Sequence, residues 1–401
     1  MAQTGRMDTE RARYLVSPSG RETLAGISPA WQTLPVNTLA TRLRSWLPPG
    51  EAAAIGEQIS LRQQAGERLW SRDPLLSAEG LQMATHPAVA ARRAARLAGY
   101  WLRVADVTAG LGSDLSACIQ AGADAVGIEH DRATAILAAA NTSGRVVCAD
   151  ALSAPVRVAN MALIVDPSRR DGSGRRFDPA AFSPPWDRAI ALAQSASAAV
   201  VKGPPGISSA HIPPEAETEF VQVGRTLREA ALWFGADSRP GLRRAVLLPA
   251  SATLTSDDPE GPGATAAAPG VYVFDPESCV TRAGLVRHLG ARIRARLLDP
   301  QVAYLTGAEP SADPLCATFE VLDVVPFSIG RLKSRLRACG WRAVEIRRRA
   351  FPIEPDELRK LLGRQDGDEV ALLCTTIAHR RTVIIGRRVA RKEETVNRCR
   401  Q

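Results

Sequence analysis

Val104–Asp131 reads VADVTAGLGSDLSACIQAGADAVGIEHD. An apolar run ends in Asp106, Gly110 and Gly112 make a Gly-X-Gly turn, and a helix of small residues follows. A second apolar run then ends in Glu129. This is half of a nucleotide-binding βαβ unit. The first strand delivers a carboxylate to its C-terminal edge, the glycines let the backbone pass close to a ligand, and the second acid falls where a ribose would lie. The pattern implies a ligand that contains adenosine.

The identity of that ligand follows from what is missing. A dinucleotide fingerprint has a third glycine three residues after the second, for close packing under a pyrophosphate. Here Gly112 is followed by Ser113, Asp114 and Leu115. An acid at Asp114 would repel a pyrophosphate at a helix N-terminus, and no Gly-Lys-Ser/Thr follows to make a P-loop. A ligand with a ribose, an amino group and no phosphate fits better, and S-adenosylmethionine is one. Asp106 can face its cationic methionine end and Glu129 can accept from its ribose hydroxyls. A third strand, VVCAD, brings Asp150 within reach of the adenine amino group. Asp114 is open between an N-cap of the following helix and a ligand contact.

Ala162–Val165 (ALIV) has the short apolar form of a central parallel strand. It leads into Asp166, Pro167, Ser168, Arg169 and Arg170, which places an acid at the crevice of an open α/β sheet. A sulfonium methyl is already activated, so the chain need supply mainly alignment for in-line attack. Asp166 can orient an attacking amine and offer a route for its proton, and Pro167 stiffens the turn. Arg169 and Arg170 suit phosphate oxygens; the alternative is solvation, or pairing with Asp171 and Asp178. Lys202, at the end of the fifth strand, can reach a substrate or form a salt bridge. Ser183-Pro184-Pro185-Trp186 looks like the Pro-Pro-aromatic signature of amino-directed methyltransferases, but it follows polar loop and opens a helix. The chemistry is therefore assigned to Asp166, with Trp186 a second candidate for stacking on a base.

ADVTAGLGSD, VGIEHD, VVCAD, IVDPSRRDGSGRRFDP and VVKGPPGI together resemble bacterial class I S-adenosylmethionine-dependent methyltransferases that carry a THUMP-like C-terminal domain. LQMATHPAVAARRAARL, EFVQVGRTLREAALWFG and VLDVVPFSIGRLKSRLRACGWRAVEIRRRAFPIEPDELRKLL extend the likeness over nearly all of the chain beyond its first thirty or so residues. The stretch around Asp106 is also similar to that of a ribosomal guanine-N2 methyltransferase family. One departure is Ser113, where relatives commonly have a second glycine; serine is small enough to tune the loop without abolishing the site. The resemblance implies a Rossmann-like class I methyltransferase sheet, an α/β fold, with a smaller α+β THUMP-like domain. It also implies S-adenosylmethionine as cofactor and RNA as partner.

Composition bounds the rest. At 401 residues, two or three domains are expected. A net charge of +9 and a pI near 9.6 favour a polyanionic partner, nucleic acid first, although an Arg- and Ala-rich background would give the same sign. Seven cysteines are scattered without a CxxC, and five histidines are isolated. Neither a metal site nor a disulfide frame is expected, and reduced cytoplasmic thiols are the simple reading. His130, beside Glu129, reads as a solvated loop residue. Nothing approaches the ~18 consecutive apolar residues of a membrane span.

Residues 1–30 read as a flexible tail, 31–99 as a helical region, and 100–254 as the cofactor domain. Residues 255–317 read as a linker with a connecting strand and helix, and 318–401 as a basic THUMP-like domain. Within the helical region, Pro87–Ala98 carries Arg92, Arg93 and Arg96, which line a nucleic-acid groove or form a solvated face. AALWFG (230–235) and RAVLLP (244–249) are expected to form the antiparallel hairpin that ends a class I sheet, and 281–298 a basic helix. Near the C-terminus, Arg331 and Arg335 share a helical face, while Arg347, Arg348 and Arg349 follow a strand and can meet phosphates. The leading reading is methylation of a base in structured tRNA or rRNA, with guanine N2 the favoured atom. The alternatives are a methyltransferase for a protein or small molecule, and a non-catalytic RNA-binding protein that retains the fold.

Overall fold

A computed structural model describes residues 7–31, 33–153, 160–168, 170–171, 174–175, 178–262 and 268–390. The chain divides into two compact units, residues 1–217 with 228–241, and residues 218–227 with 242–401.

The first unit opens with helices α1 (Thr9–Val16), α2 (Pro18–Gly26), α3 (Val36–Arg44), α4 (Pro49–Ala65), α5 (Ala78–Met83) and α6 (Pro87–Ala98). The expected flexible tail is thus corrected over 9–26. Asp8 and Ser17 cap α1 and α2 with side-chain oxygens on backbone N–H groups, and Ala12 and Leu15 are fully buried. Averaged composition hid this stripe, because each short helix buries only one or two residues and solvates the rest.

The sheet follows: β1 (Arg103–Asp106), α7 (Ser113–Gln120), β2 (Asp124–Glu129), α8 (Arg132–Asn141), β3 (Val146–Cys148) and β4 (Ala162–Val165). A two-residue pair, β5 (Arg170–Asp171) and β6 (Gly174–Arg175), precedes α9 (Trp186–Gln194) and β7 (Ala198–Gly203). After β8 (Glu217–Val223), β9 (Thr226–Gly235) closes the unit. Its strands lie in the order β3-β2-β1-β4-β7-β9. All are parallel except β9, which runs antiparallel to β7. Strand order reverses between β1 and β4, which makes a topological switch point at their carboxyl ends. β4 is buried along its whole length, as a central parallel strand must be. Ala94 and Leu97 of α6 and Leu115 and Cys118 of α7 pack against Val104, Ala162, Ile164, Ala198 and Val200 of the sheet. The N-terminal helices meet α8 through Leu15, Ala133 and Leu137.

The second unit contains β8, β10 (Arg243–Leu248), β11 (Ala252–Thr255), β12 (Tyr272–Pro276), α10 (Ser278–Arg282), α11 (Val286–Arg292), β13 (Arg296–Asp299) and β14 (Val302–Gly307). It ends with β15 (Cys316–Pro326), α12 (Ile329–Ala338), β16 (Trp341–Arg348), α13 (Pro355–Leu362), β17 (Asp368–Ile377) and β18 (Arg380–Arg388). Three expectations change here. Residues 243–248 do not form a hairpin with 230–235; β10 runs parallel to β8 and antiparallel to β11. The apolar content of RAVLLP marks a strand but not its partner. The basic helix expected over 281–298 breaks at Gly284, which has φ +67°, and ends in β13. The segment taken as a linker supplies β12, β13 and β14 to one sheet with the C-terminal strands, in the order β13-β14-β12-β15-β18-β17-β16. Leu332, Leu336, Leu358 and Leu362 of α12 and α13 cover one face of this sheet. β13 and β14 touch β17, and Val273, Tyr304, Phe319, Leu373 and Ile384 pack on the other face. A domain starting at residue 318 would expose that second face, so the core extends back to β12.

Candidate cofactor and acceptor site

β1 and β4 set two acids side by side. Asp106 ends β1, and Asp166 follows Val165 at the end of β4. The backbone bond Val107 N–H to Ile164 O (3.0 Å) joins the strands there. Thr108 couples the two loops. Its N–H donates to Asp106 Oδ1 (3.2 Å), and its hydroxyl oxygen accepts from the Asp166 N–H (2.6 Å).

The glycine turn between β1 and α7 depends on left-handed backbone at Gly110 (φ +53°) and Gly112 (φ +87°), which L side chains rarely adopt. A Cβ at Gly112 would also lie 2.8 Å from Thr142 Cγ2. The turn brings the Gly110 N–H to Glu129 Oε2 (3.0 Å), while the Asp131 N–H donates to Oε1 (2.8 Å). Each oxygen of Glu129 therefore takes one backbone donor and keeps a lone pair for a hydroxyl. Burial raises the Glu129 pKa against the opposing pull of those N–H groups and of His130. Asp150 lies exposed just past β3, and its Oδ1 accepts from the Leu152 N–H (2.9 Å). Pro167 is buried behind Asp166.

Behind the acids lies an ion network. Arg93 of α6, only 2% exposed, bonds Asp114 Oδ1 and Glu229 Oε1. Lys202, at the end of β7, bonds Asp114 Oδ2 (3.2 Å), Thr85 Oγ1 and Asp166 Oδ2. Burial alone would push Asp114 up, but Arg93, Lys202 and Thr85 together bring it down to about 2. Burial alone would lower Arg93 and Lys202; the surrounding carboxylates outweigh it and raise both. Asp106 has no direct cation, so burial, followed by the charge on Asp114, pushes it up to about 8.

In this network carboxyl groups outnumber cations, and both cations are already engaged. Among the described residues of this network a pyrophosphate would find no free positive charge. A ligand with a cationic end and ribose hydroxyls would ionise Asp106 and satisfy Glu129. The donor set therefore fits S-adenosylmethionine. Among the described residues no group of three or more His, Cys, Asp or Glu is arranged to hold a metal ion.

The other candidates sort by geometry. Asp114 is not the N-cap of α7; Gly112 takes that position, and the Asp114 carboxylate turns to Arg93 and Lys202. Arg169 lies outside the described residues, as does the Arg170 side chain. Trp186 is buried, donates from Nε1 to His211 O (3.0 Å) and packs edge-on to Phe182, so its ring is committed to the core. His130 is exposed, with Nδ1 3.1 Å from Glu129 Oε1. Of the three arginines on α6, Arg93 and Arg96 form neither a groove nor a solvated face. Arg96 makes two bonds to buried Glu217 (2.8 and 2.9 Å) and lies 4.0 Å over the Trp233 ring.

In the second unit, Arg347 and Arg348 belong to β16 rather than following it. Arg347 pairs with Asp275 (2.5 Å) and Glu345 (2.6 Å), and Arg348 with Glu354 and the Phe351 carbonyl. Arg335 pairs with Asp323 (2.5 Å). The side chains of Arg331, Arg380 and Arg381 are exposed with no partner among the described residues.

Sequence reasoning passed over Thr85, Thr108 and Glu229, and misread Arg93. One signal was present: Ala90, Arg93, Ala94 and Leu97 share a helical stripe, so Arg93 occupies a core position of α6.

An open sheet of this strand order, with acids at its switch point and a glycine turn, defines the Rossmann-like class I methyltransferase architecture. The solved structure of a candidate methyltransferase from Porphyromonas gingivalis W83 has this fold, with a TM-score of 0.72 and 22% identity, covering 92% of this chain and 99% of that one. Residues 316–388 match the family model described as THUMP domain-like. S-adenosylmethionine-dependent methyltransferases of Mycobacterium tuberculosis strains CDC 1551 / Oshkosh and ATCC 25618 / H37Rv are each 33% identical over 331 residues, 81% of this chain and 89% of theirs. The chain belongs to this family of S-adenosylmethionine-dependent methyltransferases. In the described residues no helix is long and apolar enough to cross a membrane.

Proposed function

We propose that this enzyme methylates a base amine in structured RNA, with guanine N2 the favoured atom and tRNA or rRNA the substrate, in the cytoplasm. The observation that carries the reading is Asp166. Its Oδ2 is held by Lys202, its Oδ1 has no partner among the described residues, and its side chain is 36% exposed beside Asp106. A carboxylate held in this way presents one acceptor oxygen, suited to an amine N–H.

When bound, S-adenosylmethionine supplies an activated methyl group. Asp106 would face its cationic end, Gly110 and Gly112 would let the backbone approach it, and Glu129 and Asp150 would take its ribose and adenine. Asp166 would hold the amine in line and accept its proton as the methyl passes from sulfur to nitrogen and a neutral thioether is left behind. A paired base would have to leave its stack to reach this crevice, at a cost of a few kcal/mol. The likeness to THUMP domains supports RNA as the polymer. Phosphate contact falls more naturally to the unpartnered Arg331, Arg380 and Arg381 than to Arg347 or Arg348, whose ion pairs would have to break first.

The test is transfer of labelled methyl from S-adenosylmethionine to total RNA and total protein from cells lacking this gene, with Asp166→Ala as control. Label in RNA that vanishes in the variant is expected. Label confined to protein would replace RNA with a protein acceptor.

A further inference from the structure

Lys202 stands at the reacting end of the site, yet its donors are spent within the protein. The ammonium has three hydrogens and bonds three oxygens: Thr85 Oγ1, Asp114 Oδ2 and Asp166 Oδ2. Its side chain is 8% exposed, which leaves little surface for a substrate. Asp114 is anchored from the opposite side by Arg93, and Arg93 is held in turn by Glu229. A continuous chain of ion pairs therefore runs from Glu229 through Arg93, Asp114 and Lys202 to Asp166. Only its last member is substantially exposed. The backbone under that member is held separately, by the Asp166 N–H on Thr108 and by two bonds between Ser168 and Ser183 (2.7 and 2.9 Å).

We infer that Lys202 is a positioning residue, which clamps Asp166 by Oδ2 so that Oδ1 alone faces the acceptor nitrogen, and which does not itself contact substrate. The inference rests on the reading of Asp166 as the acceptor contact. Without the clamp, a half-exposed carboxylate swings about its own side-chain bonds, and misplacement by about 1 Å at a reacting centre costs up to about 100-fold in rate. The clamp also ties the acceptor side to α7, whose first turn carries Asp114 beside the glycine turn.

The experiment is a double-mutant cycle with Lys202→Met, Asp166→Asn and the double variant. It is read as single-turnover methyl transfer into whichever polymer the wild type labels, alongside the dissociation constant for S-adenosylmethionine. Lys202→Met is expected to bind the donor within about threefold of wild type and to transfer about 10- to 100-fold more slowly. The double variant should be no slower than Asp166→Asn alone, because Lys202 acts only through Asp166. Lys202→Arg, which keeps the charge and the donors, should recover most of the rate. Lys202→Gln, which removes the charge, takes the place of Lys202→Met in the cycle if the latter does not fold. Losses that multiply in the double variant, or a Lys202→Met enzyme as fast as wild type, would overturn the inference. An Asp166→Asn enzyme with full activity would sink the reading beneath it. A wild type that binds the donor but labels neither RNA nor protein would overturn both.

Discussion

Asp106 and Asp114 sit eight residues apart in sequence and are both nearly inaccessible; burial pushes both up, yet their net shifts have opposite sign. Asp114 has Arg93 and Lys202 within bonding distance and is brought down to about 2, whereas Asp106 has no bonded cation and is pushed up to about 8. The consequences for stability have opposite sign. Asp114 contributes stability above its unfolded value of 3.8, and this is lost as pH falls through about 2. For Asp106, the folded protein keeps a proton that the unfolded chain releases between 3.8 and about 8, so its contribution falls as pH rises through that window. Urea unfolding of the ligand-free protein at pH 5 and pH 8 should therefore show a loss in the wild type that exceeds that of Asp106→Asn by at least about 1 kcal/mol. An identical loss in both would mean that Asp106 is ionised throughout.

Helix α6 is the element that ties the site to the sheet. Arg93 reaches the ion network, and Arg96 reaches Glu217 while stacking on Trp233. Glu217 is 1% exposed, and it also accepts from the Arg239 N–H (3.0 Å). Arg96→Ala would remove both of Arg96's bonds from a buried carboxylate, and should lower unfolding free energy by about 3 kcal/mol in denaturant titration. A change within about 0.5 kcal/mol would place Arg96 among ordinary surface residues. These arginines also mark where sequence reading stops. Pro87–Ala98 is legible as a helix from its proline start and alanine content, and the structure has those bounds. Which arginine goes inward depends on carboxylates 21, 121 and 136 positions away, and the periodicity of the helix itself carries no record of such partners.

At the scale of the whole molecule, legibility follows how local the signal is. β1, β2 and β4 could be read because each is an apolar run closed by an acid, and the glycine turn because left-handed backbone demands glycine. The partner of RAVLLP and the start of the second core could not. Both are set by strand pairing between distant segments, and β12 becomes part of a core only through its pairing with β14 and β15. Likewise, three consecutive arginines at 347–349 suggest a basic face, but Asp275 arrives from β12 to pair with Arg347 and Arg349, while Glu345 of the same strand and Glu354 just beyond it take Arg347 and Arg348. Exposed arginine charge lies elsewhere in this unit, on residues such as Arg331, Arg380 and Arg381.

On the function proposed above, the acid-lined switch point takes a cationic adenosine ligand, and Asp106 gives up its proton as that ligand binds. Calorimetric titration with S-adenosylmethionine from pH 6 to 9, in buffers of different ionisation enthalpy, tests this directly. Proton release near pH 7 is predicted, with affinity rising by up to about tenfold per pH unit and levelling off near 8. Asp106→Asn should bind more weakly and lose this pH dependence. Wild-type binding without proton release, at an affinity that Asp106→Asn leaves unchanged, would contradict the account.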